Sequence, residues 1–211
     1  MRIGIIGATG KAGALIANEA YERGIDVTAI VRNKSKVDLD RYAVINKDVF
    51  SLTKKDVEHF DAVISAFGND MGDEITLQTS LKHMTEVFEQ VPAVRLLIVG
   101  GAASLYTDES ETGYVLDMIP SEWRAVPQSM FIAFGELKKS KVNWTYQSPA
   151  YTFDPDGART GRYTLGTDYL IKNRQGESYI SYADFAVAMI DEVVKGQFIG
   201  RRYTAVSERV M

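Results

Sequence analysis

Apolar residues recur along this chain in two alternating rhythms. Five short runs are apolar with little alternation: Ile3 to Ile6, Ile25 to Val31, Tyr42 to Asn46, Asp61 to Ala66 and Arg95 to Val99. A strand covered on both faces of a parallel sheet needs such a run, because neither face meets water. Between them lie longer segments whose apolar residues return every three or four positions. Leu15, Ile16 and Ala20 mark a helix over Lys11 to Arg23, closed by Gly24, and Leu77, Leu81, Met84 and Phe88 mark another over Ile75 to Gln90. Helices over Gln128 to Ser140 and Tyr182 to Lys195, with strands over Val142 to Tyr146 and Arg202 to Val206, continue the pattern. Strand and helix in strict succession predict an α/β fold around a parallel sheet.

The first strand runs directly into Gly7, Gly10 and Gly13, spaced by three, and then into the first helix. This spacing suits a dinucleotide. Gly7 permits a tight turn, Gly10 lets the backbone approach a pyrophosphate, and Gly13 lets helix and strand pack closely. The free amides of the first helical turn face the phosphates, with Thr9, Lys11 and Ala12 completing the loop. A nucleoside triphosphatase loop is excluded, since it needs glycine where Ile5 stands and a hydroxyl where Ala12 stands.

In an open parallel sheet, ligands bind beyond the carboxyl ends of the strands. Arg32 follows the second strand there, with Asn33, Lys34 and Lys36 beside it, while Asp26 lies at the wrong end. A guanidinium at this point suits a 2'-phosphate, so NADP(H) is expected over NAD(H). Ala66 and Gly68, flanking Phe67 after the fourth strand, are small enough to admit a ribose.

The N-terminal Gly-x-x-Gly-x-x-Gly pattern resembles the short-chain dehydrogenase/reductase superfamily, in particular its atypical NmrA-like branch. That branch includes biliverdin/flavin reductases and proteins provisionally named NADH-flavin reductases, together with nonenzymatic cofactor sensors. The stretch Arg159-Thr-Gly-Arg-Tyr-Thr-Leu-Gly-Thr-Asp168 is similar to one in those flavin reductases and is the most specific match. The resemblance implies a Rossmann-type doubly wound parallel sheet with a small C-terminal substrate-covering region. It implies that Asp48 and Val49 meet the adenine, that Ser104 lies beside the nicotinamide, and that Pro149 and Ala150 turn beneath it. The paired short runs around Gly166 read as an extended hairpin, and Ser181 with Asp184 as a capping box.

Length and composition fit one domain over residues 1–211, with 105–127 and 150–181 on the substrate side. Residues 105–127 lack periodicity but carry apolar side chains around Trp123, as a lid would. A net charge of -4 with interspersed signs predicts no nucleic-acid or membrane partner. Without cysteine, disulfides, thiolate catalysis and cysteine-bound metals are ruled out, and His59 and His83 form no metal pattern. No signal peptide or long apolar run is evident, so a cytoplasmic protein is expected, as monomer or oligomer.

The usual dehydrogenase acid, a tyrosine with lysine four residues on, occurs at none of the 11 tyrosines; Phe134 and Lys138 come nearest. The histidine of the biliverdin reductases is replaced by Ala150. The chemistry expected is hydride transfer to a flavin or quinone, a planar acceptor needing little acid help, with Ser104 as hydrogen-bond donor and Tyr151 or Trp123 as a candidate stacking wall. The alternative is an NADP-binding redox sensor without catalysis.

Overall fold

The computed structural model describes residues 1–68 and 73–210. Its strands are β1 (Arg2–Ile6), β2 (Asp26–Val31), β3 (Ala43–Asn46), β4 (Ala62–Ser65), β5 (Arg95–Val99), β6 (Trp144–Ser148), β7 (Thr152–Asp154), β8 (Thr164–Gly166), β9 (Tyr179–Ser181) and β10 (Arg201–Val206). The helices are α1 (Lys11–Glu22), α2 (Lys54–Val57), α3 (Glu74–Phe88), α4 (Val115–Met118), α5 (Ala125–Leu137) and α6 (Tyr182–Lys195). Eight strands form one sheet in the order β3-β2-β1-β4-β5-β6-β10-β8, parallel except for β8, and β7 pairs with β9 separately. The order reverses direction at β1, between β2 and β4. That is the switch point at which a doubly wound sheet leaves a crevice.

Both faces of the sheet are covered, which is why its central strands are largely apolar. Ile3 and Ile5 point into a core with Ile16 and Ala20 of α1 and Phe185 and Met189 of α6. Ile6, Val63, Leu96 and Ile98 point the other way, against Leu81, Met84 and Phe88 of α3 and Phe134 and Leu137 of α5. α6 has the bounds expected of it, because Ser181 Oγ accepts from the Asp184 amide at 3.0 Å and Gly196 closes the helix at φ 63°. Across the sheet, Arg95 of β5 is ion-paired with Glu192 of α6, both buried.

Three expectations change. α5 begins at Ala125, ahead of the expected Gln128, with Pro127 inside its first turn, where a missing N–H costs no helical hydrogen bond. The segment around Gly166 is not a hairpin: β8 pairs antiparallel with β10, Gly166 opposite Thr204. An alternating short run shows that a strand exists but not which strand it joins. The third concerns Asp184, whose carboxylate leaves the capping box and accepts from Thr160 N, Thr160 Oγ1 and Gly161 N, each at 2.8 Å.

Candidate functional site: a cleft at the carboxyl ends of the strands

The loops that follow β1 to β5 open on one cleft of about 750 Å3. Its floor is the glycine turn. Gly7 has φ 77°, and a Cβ there would sit 2.6 Å from the Ala66 carbonyl oxygen, so only glycine fits. A Cβ on Gly13 would fall 2.2 Å from the Gly7 carbonyl oxygen, which shows how closely α1 is drawn onto β1. Gly10 is the N-cap of α1 but has no side chain to cap it, and no acidic residue occupies the first turn. The N–H groups of Lys11, Ala12 and Gly13 consequently have no acceptor among the described residues. Unpaired amides at a helix N-terminus, beside a cleft, fit a pyrophosphate.

Of the residues expected to hold the cofactor, Gly7, Thr9, Gly10, Lys11, Ala12, Arg32, Val49, Ala66, Phe67 and Gly68 line this cleft. Arg32 stands on a turn fixed locally: Asn33 Oδ1 accepts from Ser35 N at 3.0 Å and Asn46 Oδ1 from Lys34 N at 3.1 Å. Arg32, Lys36 and Lys11 make no ion pair among the described residues, whereas Lys47, also on the wall, is bonded to Asp56 at 2.6 Å. A free guanidinium and ammonium at one end of a cleft fit an extra phosphate.

Gly13, Asp48, Ser104, Pro149 and Ala150 do not line it. Gly13 acts through packing, as its spacing implied. Asp48 Oδ1 caps the turn over Val49–Ser51, accepting from Phe50 N at 3.0 Å. Pro149 and Ala150 are buried, and it is Phe153, further along the same excursion, that reaches the cleft. Ser104 has a protein neighbour that the sequence did not reveal. It is buried, and its Oγ accepts from Arg202 Nη1 at 3.0 Å, because β10 carries that cation under the loop leaving β5. Trp123 and Tyr151 are exposed and stand outside the cleft, so neither is its stacking wall.

Several lining residues escape sequence reasoning. Gly100 is one, and with its neighbour Gly101, outside the lining, it crosses the buried ring of Tyr146: a Cβ on Gly100 would overlap that ring, and Gly101 N donates to the Tyr146 hydroxyl at 3.1 Å. Burial pushes the Tyr146 phenol up to about 12, although the Gly101 hydrogen bond opposes this, so it keeps its proton. Val126 and Met130 of α5 line the cleft from one side of the sheet and Phe153 and Tyr182 from the other. The helical spacing of Val126 and Met130 was the one available signal, hidden by the late start assigned to α5.

The segment after the cleft explains the family stretch. Arg159 Nε is 3.0 Å from Glu19 Oε2, Tyr163 OH donates to Asp191 at 2.6 Å, and Asp168 accepts from Arg202 Nη2 at 2.7 Å. Gly161 lies at φ 71°, and a Cβ on Gly166 would meet Ile171 at 2.9 Å. Residues 159–168 thus form a strap fastened to α1, α6 and β10. The 105–127 segment is tethered too, through bridges from Tyr106 to Tyr114 and to Tyr169.

A doubly wound sheet with an uncapped, glycine-entered helix at its switch point defines a dinucleotide-binding α/β protein. Comparison with known proteins narrows this. The chain belongs to the NAD(P)H-binding family, whose profile matches residues 7–193, and it is of the atypical short-chain dehydrogenase/reductase type. It is 44% identical over 211 residues to the uncharacterized protein YwnB of Bacillus subtilis, covering 99% of each chain. A structure from Streptococcus pneumoniae, provisionally named an NADH-flavin reductase, is 39% identical with a TM-score of 0.90, over 99% of this chain and 100% of that one. One from Bacteroides thetaiotaomicron, provisionally named an epimerase, is 33% identical with a TM-score of 0.86 over 99% of each. Among the described residues no helix is long and apolar enough to cross a membrane.

Proposed function

We propose that this protein is an NADPH-dependent reductase that passes a hydride to a planar acceptor, a flavin or a quinone. The observation that carries the reading is the cleft's polarity: cationic at the β2 end, apolar and aromatic at the β5 end, with no acid–base pair between them among the described residues. The tyrosine that lines it, Tyr182, has Ala186 four residues on, where a sugar or alcohol dehydrogenase would have lysine. When bound, the dinucleotide supplies a hydride at its nicotinamide ring. The chain itself does the rest by placement. The first-turn amides of α1 hold the pyrophosphate, Arg32 and Lys36 hold the 2'-phosphate, and Gly7 with Ala66 leaves room for the ribose. Val126 and Met130 exclude water from the far end, where orientation governs the rate. The name given to the Streptococcus pneumoniae relative supports the same acceptor class. Steady-state oxidation of NADPH against FMN, FAD, menadione and biliverdin tests the reading. Acceptor-dependent oxidation by FMN or menadione is expected, and failure of every acceptor would leave a cofactor sensor instead.

A further inference from the structure

We infer that Phe153 and Tyr182 form the acceptor platform of the cleft, Phe153 backing a planar ring system and the Tyr182 hydroxyl donating to a carbonyl on its edge. The inference rests on the reductase reading above. The two rings come from segments that meet only in the fold: Phe153 is the middle residue of β7, and Tyr182 opens α6 directly after β9. β7 and β9 pair in parallel, Phe153 opposite Ile180, and this pairing places the rings 3.9 Å apart at 32°. Phe153 also rests on buried Phe185, centroids 4.8 Å apart, so the pair has a fixed backing.

Position along the cleft assigns the occupant. β7 leaves the end of β6, on the opposite half of the sheet from β2, where Arg32 stands. A dinucleotide with its adenosine phosphate at Arg32 and its pyrophosphate on α1 has its redox end on that opposite half. Phe153 and Tyr182 line the cleft there, and Val126 and Met130 line it from the other side of the sheet. An apolar slot with one polar group suits a flat heteroaromatic ring bearing carbonyls.

The Tyr182 hydroxyl is the feature a purely structural ring would lack. Tyr163, Tyr179 and Tyr203 donate to Asp191, Asp154 and Gln147, and Tyr146 accepts from Gly101. Tyr182 is half-buried in the cleft, and its hydroxyl has no partner among the described residues. A phenol at the cleft surface with no protein partner is free to donate to a ligand. Burial raises its pKa, so the phenol remains a donor at neutral pH.

The test is binding of FMN to the full chain saturated with NADP+, followed by quenching of flavin fluorescence, beside steady-state NADPH oxidation. Tyr182→Phe keeps the ring and is expected to weaken FMN about tenfold, the worth of one neutral hydrogen bond, with NADP+ affinity within about twofold. Phe153→Ala is expected to weaken FMN at least as much. Unchanged FMN affinity in both variants, in a protein whose wild type oxidises NADPH with flavin, overturns the platform and leaves the reductase standing. Equal loss of NADP+ and FMN affinity also overturns it, by assigning the rings to the cofactor. A wild type that neither binds FMN nor oxidises NADPH with any acceptor removes platform and reductase together.

Discussion

Arg202 Nη1 lies 2.6 Å from the carbonyl oxygen of Ser104 and 3.0 Å from its hydroxyl, so one buried cation holds both oxygens of a residue at the exit of β5. Arg202 is itself neutralised by Asp168 and sits over the Phe134 ring, 5.1 Å from its centroid. We propose that Ser104 positions the loop leaving β5 and does not touch the reacting atoms. Ser104→Ala removes one hydrogen bond to a charged group and is expected to cost about 1.5 to 3 kcal/mol in denaturant unfolding. Single-turnover NADPH oxidation should fall less than about tenfold. A hundredfold fall with stability unchanged would place Ser104 against the reacting atoms.

We propose that Arg32 sets the choice of cofactor. Its guanidinium has no ion pair to give up among the described residues, so its interaction with a 2'-phosphate is not offset by a lost contact. Arg32→Ala is expected to weaken NADPH by about 1.5 to 3 kcal/mol and NADH hardly at all. Calorimetric titration with both nucleotides checks this, and equal affinities in the unaltered protein would remove Arg32 from the site.

Gly13 has no room for a methyl group. With the Gly7 carbonyl 2.2 Å from the would-be Cβ, Gly13→Ala must push α1 away from β1 and tilt the first-turn amides. A loss of about 1 to 3 kcal/mol in stability is expected, together with at least tenfold weaker binding of both NADPH and NADH. Gly135→Ala is the control, because a Cβ there meets nothing within 4 Å and the residue lies outside the cleft. Equal effects at the two positions would show that close packing is not what Gly13 supplies.

Acid should unfasten α6. Burial tends to raise the Asp191 pKa, but hydrogen bonds from Lys195, Tyr163 and Arg23 outweigh it and hold the carboxyl at about 2, below its ordinary 3.8. A carboxyl depressed in the folded state contributes stability that is present above the unfolded value and lost as pH falls through the folded one. The shift corresponds to about 2 kcal/mol, lost between roughly pH 4 and pH 2. Asp191→Asn should be less stable at pH 7 by up to about this amount and less sensitive to acid across that window, measured by urea unfolding at several pH values.

Much of the fold is legible in the sequence because its causes are local. Ile3 to Ile6 and Arg95 to Val99 are apolar enough to be strands whatever their partners, and Ser181 and Gly196 delimit α6 by their own hydrogen bonding and φ. The phosphate end of the cleft is equally local, since Gly7 to Gly13 is one continuous turn. The other end is not. Phe153 and Tyr182 meet only after β7 has found β9, and Arg202 reaches Ser104 only after β10 has joined β6. No periodicity within either segment encodes those meetings. The Arg159 to Asp168 stretch was the clearest resemblance, yet its residues fasten the strap and none of them lines the cleft.

The strap sets an order on folding. Glu19 is buried in α1, and its carboxylate is satisfied by Arg23 from the same helix and by Arg159, 140 positions later. Contacts this distant in sequence form late, because the intervening chain must first be drawn in. Until Arg159 arrives, α1 holds a carboxylate short of one partner, and until α6 arrives part of its apolar face lacks cover. A chain emerging from synthesis can therefore form its glycine turn early but cannot seat it firmly until the last third has docked. The nucleotide, which needs that turn rigid, is therefore expected to bind the finished molecule and not its nascent N-terminal half.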